Sequence, residues 1–289
     1  VDASLLALVR ILFGTILAWE LWRYLDLGFP RAHYVAPVVH FRYWPFGFLP
    51  APSATAVTWL FVGMAACAVA VALGAMVRVA GILLWAGMLY VLLLDEAYYL
   101  NHWYLGLLLA LLVALLPTNR TWSIDARVGL VHRSEVVPAW TVWMFRFQVG
   151  VVYVFAGLGK IDGDWLRGWP LRLWLADEGD FPVVGSLLTR PATGVVMAWL
   201  AMAFDVLVVP AMLSSRTRRF AYPVALGFHL MNSRLFGIGM FPWAMIALTL
   251  VFFPPDFPRR MLADLRGGRR RLAGRRSSIH GDRWRPTMG

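Results

Sequence analysis

The chain has little that ionises and almost nothing that cross-links. Of its 289 residues, 15% are Asp, Glu, Lys or Arg, and one is cysteine. That residue, Cys67, has no intramolecular disulfide partner, and its place in the apolar run 62–73 reads as a buried, inert thiol. No Ser-His-Asp nucleophile motif, glycine-rich phosphate loop or internal repeat stands out. Separated histidines with no cysteine cluster or Glu-x-x-His motif lack the three or four convergent ligands a metal needs, so no metal is expected. Lysine is nearly missing too. Of 27 basic residues, Lys160 is the one lysine and the rest are arginine.

What is present is apolar. Hydrophobic residues make up 60% of the chain, with 15 Trp and 9 Tyr, a composition that excludes an ordinary soluble domain and fits interfacial aromatic belts. A helical span needs about 20 predominantly apolar residues. Roughly eight segments qualify: 4–25, 53–74, 77–94, 102–116, 138–159, 192–213, 220–230 and 237–253. The fourth and seventh are short, and short or interrupted spans mark interior sites. The fold expected is all-α: a polytopic integral-membrane helical bundle over residues 1–257. No cleavable signal peptide is evident, because the first run is itself long enough to cross.

The net charge of +11 is concentrated. Residues 259–289 carry ten Arg against Asp264 and Asp282, so residues 258–289 read as an Arg-rich, disordered cytoplasmic tail near anionic lipid. No aromatic-interleaved module accompanies it, so no nucleic-acid partner is expected. With the N-terminus inside, Arg78, Arg120, Arg127, Arg133, Arg216, Arg218 and Arg219 fall on the cytoplasmic side. Asp95, Glu96, Asp162, Asp164, Asp177, Glu178 and Asp180 fall outside, against the opposing Arg31 and Arg42. The positive-inside pattern puts both termini in the cytoplasm.

Charges inside spans are costly and face an interior. Arg10, Glu20, Arg146 and Asp205 are such charges, with His102 and His229 beside them. Arg146, Tyr153 and Lys160 recur every seven residues, which puts them on one helical face with Gly150 and Gly157. The two glycines let another helix or a flat ligand approach. Lys160 has two readings. One is an interfacial lysine that snorkels or pairs with Asp162 or Asp164. The other is a buried amine serving as general base, a role closed to arginine, which stays protonated. His229 and Asn232 share a helical face, where a structural hydrogen bond between helices competes with a site role.

Several segments together resemble the vitamin K-dependent gamma-carboxylase family, within the horizontally transferred transmembrane (HTTM) superfamily. They are Leu8–Gly14, the Asn-His segment Leu100–Leu105, Trp-Ser-Ile-Asp at 122–125, the lysine segment 153–168, and Phe228–Pro242, the most specific of them. The type resembled is a short bacterial one without the large C-terminal non-membrane region of the animal enzymes. The resemblance implies a membrane enzyme that uses reduced vitamin K (a menaquinol or phylloquinol) with dioxygen and CO2 as co-substrates, within membrane lipid. It implies Lys160 as the base toward the quinol, with His102 and Asn101 near the quinone or the glutamate. Tyr153, Gly157, His229 and Asn232 are candidates for holding the quinone. Arg10, Arg146 and Arg234 are candidates for the carboxylate of a glutamate-containing peptide or small acceptor. Quinol epoxidation without carboxylation stays open. So does a non-catalytic maturation, immunity or binding factor of the same superfamily. A small-molecule transporter is a third reading, though no inverted pair of broken segments is visible.

Overall fold

The computed structural model describes residues 1–266. Through residue 249, thirteen α-helices follow one another: α1 (Ser4–Asp26), α2 (Phe29–Tyr34), α3 (Ala54–Leu73), α4 (Val77–Leu94), α5 (Asn101–Leu115), α6 (Ile124–Arg127), α7 (Ala139–Leu158), α8 (Gly163–Leu166), α9 (Trp169–Trp174), α10 (Gly185–Leu188), α11 (Pro191–Leu213), α12 (Ser215–Leu235) and α13 (Phe241–Thr249). A 3-10 turn, Leu250–Phe252, prolongs α13. Among the described residues there is no β-strand, only an isolated bridge between Asp2 and Val136. The protein is an all-α membrane helical bundle.

Five helices, α1, α3, α4, α7 and α11, are long and apolar enough to cross a membrane. The apolar α5 and α13 are shorter. The seventh candidate segment, expected over 220–230, is instead the 21-residue helix α12. Three arginines in its first turns, and His229, Asn232 and Arg234 near its end, hid both ends from a hydropathy reading. Helices α1, α3, α4 and α5 pack as one half of the bundle, and α7, α11, α12 and α13 as the other. One core of Leu, Val, Phe and Met joins the halves through α1 and α13.

The end of the bundle that holds the N-terminus is closed by arginines bonded to backbone. Arg10 is fully buried, and its guanidinium donates to Thr118 O (3.1 Å), Val71 O (2.6 Å), Ala72 O (2.7 Å) and Trp122 O (2.6 Å). Val71 and Ala72 end α3, where carbonyls lack helical donors and carry partial negative charge. Gly74 follows with φ +74°, and a Cβ there would lie 2.8 Å from Arg10 Nη1. Glycine both supplies the left-handed turn and makes room for the guanidinium. Asp125 completes the knot by accepting from Met76 N, Val77 N and Asn119 Nδ2, which caps α4. The Trp-Ser-Ile-Asp segment is therefore architectural. One helical turn on, a Cβ at Gly14 would lie 2.6 Å from Ala72 N, so α1 and α3 touch backbone to backbone.

Arg146 does for α13 what Arg10 does for α3. It donates to Val251 O (3.0 Å) and Phe253 O (3.2 Å) and lies over the Trp143 ring. Arg10 has all three guanidinium nitrogens spent on backbone and Arg146 has its Nε and Nη2 so engaged, which corrects the expectation that either is placed to hold a substrate carboxylate. The start of the tail is also ordered. Residues 257–266 are helical, because Arg259 grips the Asp2 carboxylate (2.8 Å) and Arg260 pairs with Asp256 (2.6 Å). The rest of the expected disordered tail, 267–289, lies outside the described residues.

A buried carbonyl stripped of its donor costs roughly 1–3 kcal/mol. Arg10→Lys keeps the charge but not the fork. It is expected to lower the midpoint of thermal unfolding in detergent by about 5 °C or more, and Arg10→Met by more still. Unchanged melting of both variants would show that these bonds do not hold the near end together.

Candidate functional site

The opposite end of the bundle is built differently. Between α7, α11, α12 and α13 lies a cavity of about 1160 Å³, capped by α8 and α9. Its walls are mostly apolar and aromatic, with Phe204, Phe228, Phe236, Phe241, Trp165 and Trp174 among them. The few polar groups on the wall include Lys160, Asp205, Tyr153, His229, Asn232 and Asp177. A large apolar hollow with a few convergent polar groups is the ordinary form of a small-molecule site.

Lys160 stands just beyond the last turn of α7. Its Nζ is 2.7 Å from Asp205 Oδ2, donates to Ala156 O at 3.1 Å, and lies 5.1 Å from the centre of the Trp165 ring. Side-chain exposure is 19% for Lys160 and 6% for Asp205. The lysine therefore turns inward and does not pair with Asp162 or Asp164. Asp162 caps α8 through Asp164 N, and Asp164 pairs with Arg167. Gly157 is what brings the two charges together. A Cβ there would lie 2.8 Å from Val206 Cγ2, 3.2 Å from Val206 N and 3.4 Å from Asp205 Cβ. Its bare face seats α11 against α7, so Gly157 positions the pair and does not touch a ligand, a correction to its expected role.

Tyr153, two turns below Lys160, begins a second polar chain. Thr249 Oγ1 lies 2.6 Å from Met245 O and 3.0 Å from the Tyr153 hydroxyl, which is 2.8 Å from His229 Nε2. The directions follow from proton counting. A carbonyl only accepts, so Thr249 donates its one hydroxyl proton to Met245. Tyr153 must then donate to Thr249, and His229 Nε2–H must donate to Tyr153. In the neutral imidazole this leaves Nδ1 as a bare acceptor. His229 is 1% exposed, and Nδ1 has no hydrogen-bond partner among the described residues. An orphaned buried acceptor beside a cavity fits a ligand that brings a hydroxyl.

The other expected residues lie elsewhere. Asn101 is exposed at the first residue of α5. His102 faces α1, its Nε2 3.4 Å from the Tyr24 hydroxyl, and lines a separate narrow cleft with Phe13, Leu17 and Leu109. Near that hydroxyl, the buried Glu20 holds Arg23 through two bonds of 2.7 Å, and Gly239 is bare against them. Cleft and cavity meet only at Phe241, which lines both. The expected grouping of Lys160 with Asn101 and His102 is thus not assembled in one hollow. Arg234 is exposed in the last turn of α12, and Asn232 lines the cavity. No group of three or more His, Cys, Asp or Glu among the described residues could hold a metal. The residue that sequence reasoning failed to place is Asp205. Its charge inside a span was the available signal, but its partner stands 45 positions away.

The chain belongs to the HTTM domain family, whose model matches residues 1–257. HTTM domains are found in vitamin K-dependent carboxylases and related membrane proteins, and the chain is a multi-pass membrane protein of that group. No solved structure matches it.

Removing one partner of a buried ion pair costs several kcal/mol, while replacing both with apolar groups is close to neutral. Lys160→Met and Asp205→Leu are each expected to destabilise the protein by roughly 3 kcal/mol, and the double variant to recover most of that loss. Additive losses in a detergent melting series would show that the two side chains are not coupled.

Proposed function

We propose that the protein is an integral-membrane enzyme that binds reduced vitamin K, a menaquinol or phylloquinol, and deprotonates it with Lys160. The observation that carries this reading is the Lys160–Asp205 pair on the wall of an aromatic cavity inside a membrane bundle. The residues present fit such a ring. Aromatic walls suit its faces, and the bare Nδ1 of His229 suits a hydroxyl. When bound, reduced vitamin K supplies the oxygen-dependent chemistry that forms its epoxide and, in a carboxylase, lets CO2 add to a glutamate carbon.

The protein's own part is proton handling and exclusion of water. Passing one ammonium proton from Lys160 to Asp205 turns the pair into an amine and a carboxylic acid. The pair stays neutral through this transfer, so no net charge is buried by it. The amine then takes a hydroxyl proton, and the re-formed ammonium lies against the oxygen left negative, where Coulomb attraction is strong in a dry site. Asp205 keeps the first proton. Arginine would hold the same carboxylate yet never release a proton. The apolar walls keep water from quenching carbanion chemistry. Of the three arginines considered for the acceptor carboxylate, Arg234 alone is left, at the same end of α12 as the cavity. The arginines at the N-terminal end and the acidic loops at the other favour cytoplasmic termini and a site near the outer face.

The placement of Asn101 and His102 outside the cavity favours a second reading. In it the protein binds or epoxidises the quinol without carboxylation. Both readings are tested by incubating the purified protein with reduced vitamin K, dioxygen and labelled bicarbonate, following epoxide and fixed label separately. Lys160→Ala and Lys160→Arg are each expected to lower epoxide formation by about a hundredfold or more, with small amines partly rescuing Lys160→Ala. Full activity of Lys160→Arg would exclude the base role. Epoxide without label would select the second reading.

A further inference from the structure

The cavity is larger than its ring-binding role requires. At about 1160 Å³ it exceeds the roughly 300–1,000 Å³ of ordinary small-molecule sites. Its shape shows where the excess leads. Helices α11 and α12 join at Ser214 near the N-terminal end and form two arms whose residues, from Met197 to Asp205 and from Val224 to Leu235, help line the cavity. The far ends of the arms are bridged by α9. Arg172 Nε donates to Pro191 O at 3.2 Å on α11, and the Trp174 ring packs edge-on against Phe236, which follows α12, at 5.8 Å. The frame is therefore closed at top and bottom. Four lining residues on the arms are exposed: Leu200 (63%) on α11, and Val224 (60%), Gly227 and Met231 (40%) on α12. On each helix these positions sit at the border between the cavity face and the outward face. Helix α11 is apolar enough to cross a membrane, and residues 224–231 of α12 are apolar apart from His229, so the outward face there suits lipid.

We infer that the gap between α11 and α12 is a side window through which a membrane-dissolved ligand enters and its apolar tail remains threaded, with Gly227 setting the width. The inference rests on the hydroquinone reading for the ring and adds the tail. An apolar frame needs no donor or acceptor for a hydrocarbon chain, and apolar side chains line this one. A Cβ on Gly227 would meet nothing within 4 Å, so the glycine serves no close helix contact. It leaves open space where any side chain would project into the gap. A site built for a tail-less ring would have no use for it.

The test compares menadiol, which has no tail, with phylloquinol, which has one, binding under reducing conditions to the full chain in lipid nanodiscs. Gly227→Trp is expected to weaken phylloquinol at least about tenfold while menadiol stays within about twofold. Leu200→Trp, on the opposite edge, should repeat the tryptophan result and stands in should Gly227→Trp fail to fold. Equal weakening of both ligands, or of neither, would overturn the window while leaving the ring site in place. Failure of menadiol to bind the wild-type protein would overturn the hydroquinone reading and the window together.

Discussion

A lysine and an aspartate can share a membrane interior only if they neutralise each other at contact, because an isolated charge there costs several kcal/mol. Lys160 and Asp205 meet this condition at 2.7 Å. The contact depends on a missing side chain. Gly157 offers α11 a bare strip of α7, and the helices approach until the backbone of Val206 is within reach of where a Cβ would be. From that one approach follow the inward turn of Lys160, its contact with Asp205 and the wall it shares with Tyr153 and His229. The glycine expected to touch a flat ligand instead lets two helices touch each other.

The two ends of the bundle divide the remaining work. At the N-terminal end, Arg10, Arg146 and Asp125 spend their hydrogen bonds on helix termini, and Gly14 and Gly74 are bare against neighbouring backbone or side chains. At the other end a hollow opens between the closely packed α7 and α11 on one side and α12 and α13 on the other, and polar groups line it. Polar groups inside a membrane are tolerable only where protein or trapped ligand satisfies them. At the closed end Arg10, Arg146 and Asp125 are satisfied by protein. The open end leaves His229 Nδ1 without a protein partner. The polar set around Glu20, Arg23, Tyr24 and His102 lies at the open end too, yet Phe241 walls it from the main cavity.

Much of this was legible in the sequence, and the failures have physical causes. Helices α1, α3, α4, α7 and α11 begin and end within about two residues of the apolar runs, because an uninterrupted run in lipid must be helical. The inward face of α7 followed from the spacing of Arg146, Tyr153 and Lys160, since heptad positions stay on one stripe. Helix α12 reads shorter in the sequence because its charged first turns and polar last turns look unlike a span while its backbone stays helical over 21 residues. Arg10 and Arg146 were taken for ligand groups because a sequence reveals a buried charge but not the carbonyls that meet it. Asp205 was noticed for the same reason and left unpaired, since pairing across 45 residues depends on tertiary approach. Asn101 and His102 follow one another in the chain, but consecutive helical residues point in different directions: one faces out and the other faces α1.

The central claim is that the hollow beside Lys160 and Asp205, and not the cleft beside His102, holds a membrane-soluble aromatic diol. Photolabelling of the nanodisc-embedded protein with a reduced, diazirine-bearing naphthoquinone, followed by peptide mapping, addresses it directly. Label on residues 197–205 and 224–236, displaced by excess menadiol, is the result this account requires. Displaceable label on α1 and α5 around Phe13, Leu17 and Leu105, with none on α11 or α12, would contradict it.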